Sequence, residues 1–320
     1  MFINASSTIS YQHTFRNAGF SLVKKDIDPS SVLLTPDYAE FIPAMERRRM
    51  SQVQKMSIAC AMDCLHQSTI AQPDAIIVGT SMGCSINIKN FLDKILNAND
   101  GPLSPTSFIV STHNTVAGQI ALLMKNHGYN MTYTQNSLSF EQSLGDAMLC
   151  CAEGLKNVLV GGADEEEDSL YNMRERLKND KVLLTSGASF FILSNIRRQG
   201  NAINLIDVGS FGLIKNTLET TLNFLKANNT TDLEIDMVLY AMSEKSKLNE
   251  LTCFFGAERL FDYQEITGTY YTNSAFAMNY AVDILSNRPH PIFGEVKTVL
   301  VYNNLIPENL GLILLGTKNE

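Results

Sequence analysis

No stretch of this sequence approaches the roughly 20 consecutive apolar residues that a membrane-spanning helix needs, so no span is expected. Its opening, MFINASSTIS, lacks the charged start and apolar core of a signal peptide, which predicts a cytoplasmic protein. Positive charge is in deficit: 25 Lys and Arg face 33 Asp and Glu, a net charge of −8 that argues against generic nucleic-acid binding. Paired ligand spacing is missing from the cysteines, Cys60, Cys64, Cys84, Cys150, Cys151 and Cys253, which lie mostly in apolar helical contexts. They read as reduced core residues rather than disulfides or metal ligands, and neither cofactor nor metal is expected. A disorder-prone composition is absent too. With 320 residues, 45% hydrophobic and only 18% charged, the chain can fill one large domain or two intimately packed halves.

What is present alternates strand and helix, the pattern of an α/β protein. Helices are expected at Ser51 to Ser68, Asn87 to Ala98 and Thr115 to His127, with a turn over Asn99-Asp100-Gly101-Pro102. Strands are expected at Ala75 to Thr80, Ser107 to Ser111, Asn157 to Val160 and Ser189 to Leu193. Beyond a boundary near Arg197-Arg198-Gln199-Gly200-Asn201 the theme repeats more briefly. Strands there are expected at Ile203 to Gly209, Met237 to Ala241, Gly268 to Tyr271, Thr298 to Tyr302 and Gly311 to Leu315. Asn216 to Ala227 and Ser274 to Leu285 read as helices. Periodicity alone does not separate this order from other α/β folds; motifs must do so.

Met131 to Glu165 is the most telling segment: a short β-rich run, a polar turn, a helix, and a strand ending on Gly161-Gly162-Ala163-Asp164. With Ser104 to His127, Leu183 to Asn195 and Asp236 to Leu285, in that order, it resembles the β-ketoacyl synthases of the thiolase fold. The resemblance implies two duplicated α/β halves, 1–199 and 200–320, in a layered αβαβα arrangement. It also implies a nucleophile elbow, where a catalytic Cys tops the buried central helix. Aligned on Ser139, Gln142, Gly145-Asp146-Ala147 and the Gly-Gly pair, that Cys is replaced by Ser137.

A decarboxylating synthase needs a thiolate to take the acyl chain, two imidazoles, a supporting Lys and a backbone oxyanion hole. The family's first His follows a strand in an Ala-His-Gly-Thr-Gly-Thr run; here the run is Ala241-Met242-Ser243-Glu244-Lys245-Ser246, so Met242 takes its place. The Lys that precedes Gly-His by four residues becomes Gln264 before Gly268-Thr269, and Thr269 takes the place of the second His. The family's glycine-rich C-terminal stretch becomes Asn303 to Asn309, where Pro307 has no N–H to donate. Ser137, Met242, Gln264 and Thr269 are thus degenerate catalytic positions. Ser137, Asn114, Met242 and Thr269 are the candidate substrate-binding residues. Met and Thr in place of charged groups would make the acyl cavity more apolar, or fill it.

These changes together predict a non-catalytic subunit of the chain length factor type. By resemblance it pairs with an active ketosynthase, or with itself, and through the pair meets an acyl carrier protein. The product class implied is a polyketide or polyene, such as an aryl polyene, or a fatty-acid-like chain. The rival reading is a Ser137-dependent acyltransferase or hydrolase, and a third is a homodimeric acyl-binding scaffold. A serine nucleophile needs a base within hydrogen-bond reach. Of His13, His66, His113, His127 and His290, only His113 lies in a segment expected near the site floor; the alternative is that Ser137 merely caps its helix. Arg47-Arg48-Arg49 with Lys55 reads either as a solvated helix start or as a docking patch for an acidic carrier. Asp164 to Asp168 reads as a solvated acidic loop, with a cation site as the sharper option. Tyr270-Tyr271, Phe190-Phe191 and Phe254-Phe255 read as core pairs.

Overall fold

Apolar runs without alternation become strands buried on both faces, as expected of sheets covered on two sides. The structure is a computed structural model that describes residues 1–23, 25–97, 108–166, 183–198, 203–287 and 289–317. Its strands are β1 (Phe2–Ile9), β2 (Ala75–Gly79), β3 (Tyr129–Tyr133), β4 (Val158–Asp164) and β5 (Gly187–Ser194), then β6 (Ile203–Phe211), β7 (Met237–Met242), β8 (Leu260–Asp262), β9 (Thr298–Asn304) and β10 (Leu310–Thr317). The principal helices are α1 (Gln52–Ser68), α2 (Ser85–Leu96), α3 (Thr115–Met124), α4 (Ser139–Ala152), α5 (Thr217–Ala227), α6 (Leu248–Phe255) and α7 (Ser274–Ser286).

Hydrogen bonding orders the strands β3-β2-β4-β5-β1-β6-β10-β9-β7-β8. Read outward from the middle, one half runs β1-β5-β4-β2-β3 and the other β6-β10-β9-β7-β8, the same order with every strand number raised by five. The sense repeats as well. In each half the two pairings nearest the middle are antiparallel and the outer two parallel. Among the described residues, Phe2 opposite Asn204 and the bonds exchanged by Met1 and Leu205 join the halves into one sheet.

Strand alternation then sorts the core into layers. Ile76 and Val78 face outward with Leu159, Phe190 and Ile192 to meet α1 and α3. Ile77 and Val160 face inward, where Phe140 and Leu144 of α4 and Phe276 and Tyr280 of α7 meet them. The other side of α4 and α7 rests on Leu239, Val301 and Ile313 of the second half. Val238, Leu300 and Leu312 point the opposite way, under Leu225 of α5 and Leu251 of α6. The result is the αβαβα layering of the thiolase fold. No helix among the described residues is long and apolar enough to cross a membrane.

Several local expectations are corrected. Phe108 to Ser111 is a helical turn rather than a strand: the Ser111 N–H and hydroxyl both donate to the Phe108 carbonyl, at 3.1 and 2.7 Å. Gly268 to Tyr271 makes one bridge, Thr269 with Leu184, because Gly268 turns the chain at φ +71°. The helix begun at Thr115 stops at Met124, where Lys125 takes φ +53°. Strands β1 and β8 and helix α6 are not among the elements expected from the sequence. Of the aromatic pairs, Phe190, Phe191, Phe255 and Tyr270 are buried, whereas Tyr271 is 37% exposed. Five cysteines are buried and Cys253 is exposed. The turn expected at 99–102, the domain boundary at 199/200 and Glu167 with Asp168 lie outside the described residues.

Candidate functional site

The elbow forms where the sequence places it. After β3 the chain bends at Asn136, whose φ of +49° is a left-handed conformation that asparagine tolerates. Ser137 and Leu138 complete a single helical turn, and α4 begins at Ser139. Ser137 does not cap the helix, contrary to the simple reading of that serine. The Ser139 hydroxyl ties the turn instead, accepting from the Gln135 N–H at 2.8 Å and donating to the Asn136 carbonyl at 2.7 Å. This close turn needs Gly79 beneath it: a Cβ there would lie 2.4 Å from the Ser139 carbonyl oxygen and 2.7 Å from the Phe140 nitrogen. Backbone cannot step aside as a side-chain tip can. Gly79→Ala is therefore expected to lift the start of α4 and cost about 2–3 kcal/mol, read by chemical denaturation.

Ser137 is fully buried and held by asparagines from the end of β9 and the turn after it. The Asn303 amide donates to the Ser137 carbonyl at 2.7 Å and to Glu141 Oε1 at 2.8 Å. Asn309 Nδ2 reaches the Ser137 hydroxyl oxygen at 3.4 Å. Asn304 closes the intervening turn by donating to the Asn309 carbonyl at 2.7 Å. A loop without its glycines thus keeps its position through side-chain amides. Glu141, one helical turn beyond Ser137, is fully buried, and its Oε2 finds no hydrogen-bond partner. Burial pushes this carboxyl up to about 7, only partly opposed by the Asn303 bond.

Met242, Gln264 and Thr269, the other three positions singled out in the sequence, come together in one chain of bonds. The Met242 N–H donates to Gln264 Oε1 at 3.0 Å, and Gln264 Nε2 donates to the Thr269 hydroxyl at 2.8 Å. Met242 ends β7 beside Asn304 of β9, and Ala241 lies beside Asn303, so this chain adjoins the asparagines that hold Ser137. Asn114 is not part of the cluster: it lies exposed at the start of α3. His113 packs over Gly83 and makes no hydrogen bond to Ser137. No imidazole among the described residues bonds to Ser137.

Asp164 and Glu165 overturn the reading of a solvated acidic loop. Asp164 Oδ1 accepts from the Thr80 hydroxyl and from the N–H groups of Ser81 and Met82, at 3.0, 2.8 and 2.8 Å. Its Oδ2 accepts from the N–H and hydroxyl of Thr272, at 3.1 and 2.9 Å, so one buried carboxylate ties β2 to the start of α7. Glu165 accepts from the Val53 N–H at 2.8 Å, at the positive end of α1, while burial pushes its carboxyl up to about 7. No cluster of His, Cys, Asp and Glu among the described residues fits a metal ion.

A second serine does meet a histidine and an aspartate, but in the wrong order for catalysis. His290 Nδ1 accepts from the N–H groups of Ile292 and Phe293, both at 3.3 Å, so its proton sits on Nε2, facing the Ser21 hydroxyl at 3.2 Å. Ser21 in turn donates its proton to Asp283. An imidazole that already carries a proton toward the serine is not its base.

A repeated strand order in five layers, with an elbow at the central helix, is the architecture of the thiolase fold. The model of the β-ketoacyl synthase N-terminal domain matches residues 26–202. The chain belongs to the β-ketoacyl synthase family. Similar solved structures include a chain of the ishigamide ketosynthase/chain length factor, with TM-score 0.79 and 15% identity over 99% of both chains. The complex of the ketosynthase ApeO with its chain length factor ApeC from Xenorhabdus doucetiae gives TM-score 0.77 and 13% identity over 99% of this chain and 98% of that one. A type II polyketide synthase ketosynthase with its acyl-carrier protein, AntDE:AntF, gives TM-score 0.78 and 15% identity over 99% of both. Among curated protein sequences, none matches this chain.

Proposed function

We propose that this chain is a non-catalytic β-ketoacyl synthase-like subunit of the chain length factor type. It pairs with an active ketosynthase in the synthesis of a polyketide, polyene or fatty-acid-like chain. One observation carries the reading: the positions expected for both histidines and the lysine are filled by Met242, Thr269 and Gln264, and the Gln264 amide is taken up by the Met242 N–H and the Thr269 hydroxyl. Among the described residues no imidazole bonds to Ser137, and Met242, Gln264 and Thr269 bring no charge for an enolate. Ser137 itself receives an amide from Asn309. Ser137-dependent acyl transfer or hydrolysis is correspondingly disfavoured.

Pairing is supported by the open edge of the first half. Strand β3 has β2 on one side and, among the described residues, no strand on the other. The apolar residues Leu122, Met131 and Leu149 around it are 70%, 39% and 64% exposed, and Phe108 and Ile109, in the turn before α3, are 59% and 62% exposed. A patch of that kind on a sheet edge is a surface for another protein. In this reading Phe108, Ile109 and exposed Asn114 reach toward the partner's acyl cavity, with Ser137, Met242 and Thr269 lining the chain's own. Arg48 and Arg49, exposed on an acidic protein, form the docking patch for an acidic acyl carrier protein. The two halves are 1–199 and 200–320, and the setting is cytoplasmic.

The test is the product profile of the reconstituted pair. Phe108→Ala is expected to move the dominant product to a longer chain while the complex still forms. A profile unchanged by Phe108→Ala and Ile109→Ala together, or by omitting this chain, contradicts the reading.

A further inference from the structure

Ser137 is closed over by a turn from the other half of the chain, and the fastening is made of side-chain amides. Strands β9 and β10 pair with Asn303 opposite Gly311, so residues 304–310 turn the chain back on itself at the end of the sheet. Both ends of this turn are fixed to Ser137. The Asn303 amide donates to the Ser137 carbonyl at 2.7 Å, and the Asn309 amide approaches its hydroxyl oxygen at 3.4 Å. Glu308, near the tip, is exposed, whereas Ser137 and Asn303 beneath are fully buried. The turn therefore stands between the serine and solvent.

Its shape is held from within. The buried Asn304 amide donates to the carbonyls of Ile306, Pro307 and Asn309, at 3.2, 3.3 and 2.7 Å. The Asn309 N–H donates back to the Ile306 carbonyl at 2.9 Å, and the Leu305 N–H to Asn303 Oδ1 at 3.4 Å. Neighbouring segments hold it from outside: the Ile214 N–H donates to the Glu308 carbonyl at 3.0 Å and the Ser243 N–H to the Asn304 carbonyl at 3.3 Å. A turn with no glycine, and with the φ of Pro307 locked by its ring, has few other shapes to adopt. Lifting it also strips partners from buried amides, and an unpaired buried donor is costly.

We infer that the turn 304–309 is a closed lid, fastened by Asn304 and Asn309, which shuts the elbow of this chain to an acyl group carried on a flexible arm. Exclusion is then steric and precedes any question of nucleophile or base: even a thiol at position 137 stays out of reach. The lid closes the elbow whether the chain pairs with a ketosynthase or with a second copy, so the inference stands apart from the pairing proposed above. In either pair, no acyl intermediate is diverted onto this subunit.

Ser137→Cys places a reporter thiol under the lid, and exposed Cys253 is the reference thiol in the same molecule. The full chain is treated with iodoacetamide and its peptides are weighed by mass spectrometry. Position 137 is expected to alkylate at least about 100-fold more slowly than Cys253. Adding Asn304→Ala and Asn309→Ala should speed position 137 by at least about tenfold. Cys60 and Cys64, buried under a different layer, should stay unlabelled. If they label too, the chain has unfolded, and Asn309→Ala alone decides by the same acceleration. Alkylation of position 137 as fast as Cys253 with both asparagines in place overturns the inference. So does a thiol that stays protected in the folded variants lacking Asn309.

Discussion

Replacing the nucleophilic cysteine of the partner ketosynthase is expected to abolish condensation by the complex, by about 1,000-fold or more, while Ser137→Ala leaves the rate within about twofold. The asymmetry follows from where the protons are. Ser137 is buried with its carbonyl held by Asn303 and its hydroxyl oxygen facing the Asn309 amide, and no imidazole among the described residues bonds to it. Ser137→Cys alone should add no activity, because Met242, Gln264 and Thr269 would still offer neither a base nor a cation. Radiolabelled carrier-bound extension assays on the three variant complexes read all of this directly. A Ser137→Ala complex as dead as the partner's cysteine mutant would restore the nucleophile reading.

The stability of the fold should depend on Glu141 in a direction opposite to most carboxylates. Its folded value of about 7 stands above the ordinary 4.5, so between those values the folded state binds more protons than the unfolded one. Stability due to this group is then full at acid pH and lost as the pH rises through that window. Glu141→Gln removes the dependence while keeping an acceptor for Asn303. The variant should be about as stable as wild type at pH 4 and about 3 kcal/mol more stable above pH 7. Urea unfolding at both pH values measures the difference. A variant that is less stable than wild type at pH 8 would mean that Glu141 is held charged by a partner.

Most of the architecture was legible because glycines mark close approaches and unbroken apolar runs mark strands buried on both faces. Gly162 belongs to the Gly-Gly pair that identifies the elbow, and a Cβ on it would lie 2.9 Å from Ala275 of α7. Met242, Gln264 and Thr269, singled out by short spacings after a strand, lie together in space because Gln264 bonds to both of the others. What stayed hidden depends on distant segments. Asp164 looks like the start of a solvated acidic run, yet its partners are Thr80, Ser81, Met82 and Thr272, far away in the chain. Strand β1 reads as polar, but Ser7 is buried against Asp63 and Thr8 donates to the Ala188 carbonyl, so its hydroxyls are satisfied inside. Glu141 carried one usable signal, an acidic residue in the first turn of the helix that follows Ser137. Asn114 lies exposed and apart from the Ser137 cluster; a residue at a helix start can face either the site or the solvent, and local sequence does not choose between them.

Native mass spectrometry of the chain co-expressed with ketosynthases from its source genome tests the central claim most directly. The account predicts a 1:1 heterodimer with one ketosynthase, and no comparable homodimer when the chain is expressed alone. A stable homodimer that ignores every ketosynthase would contradict it.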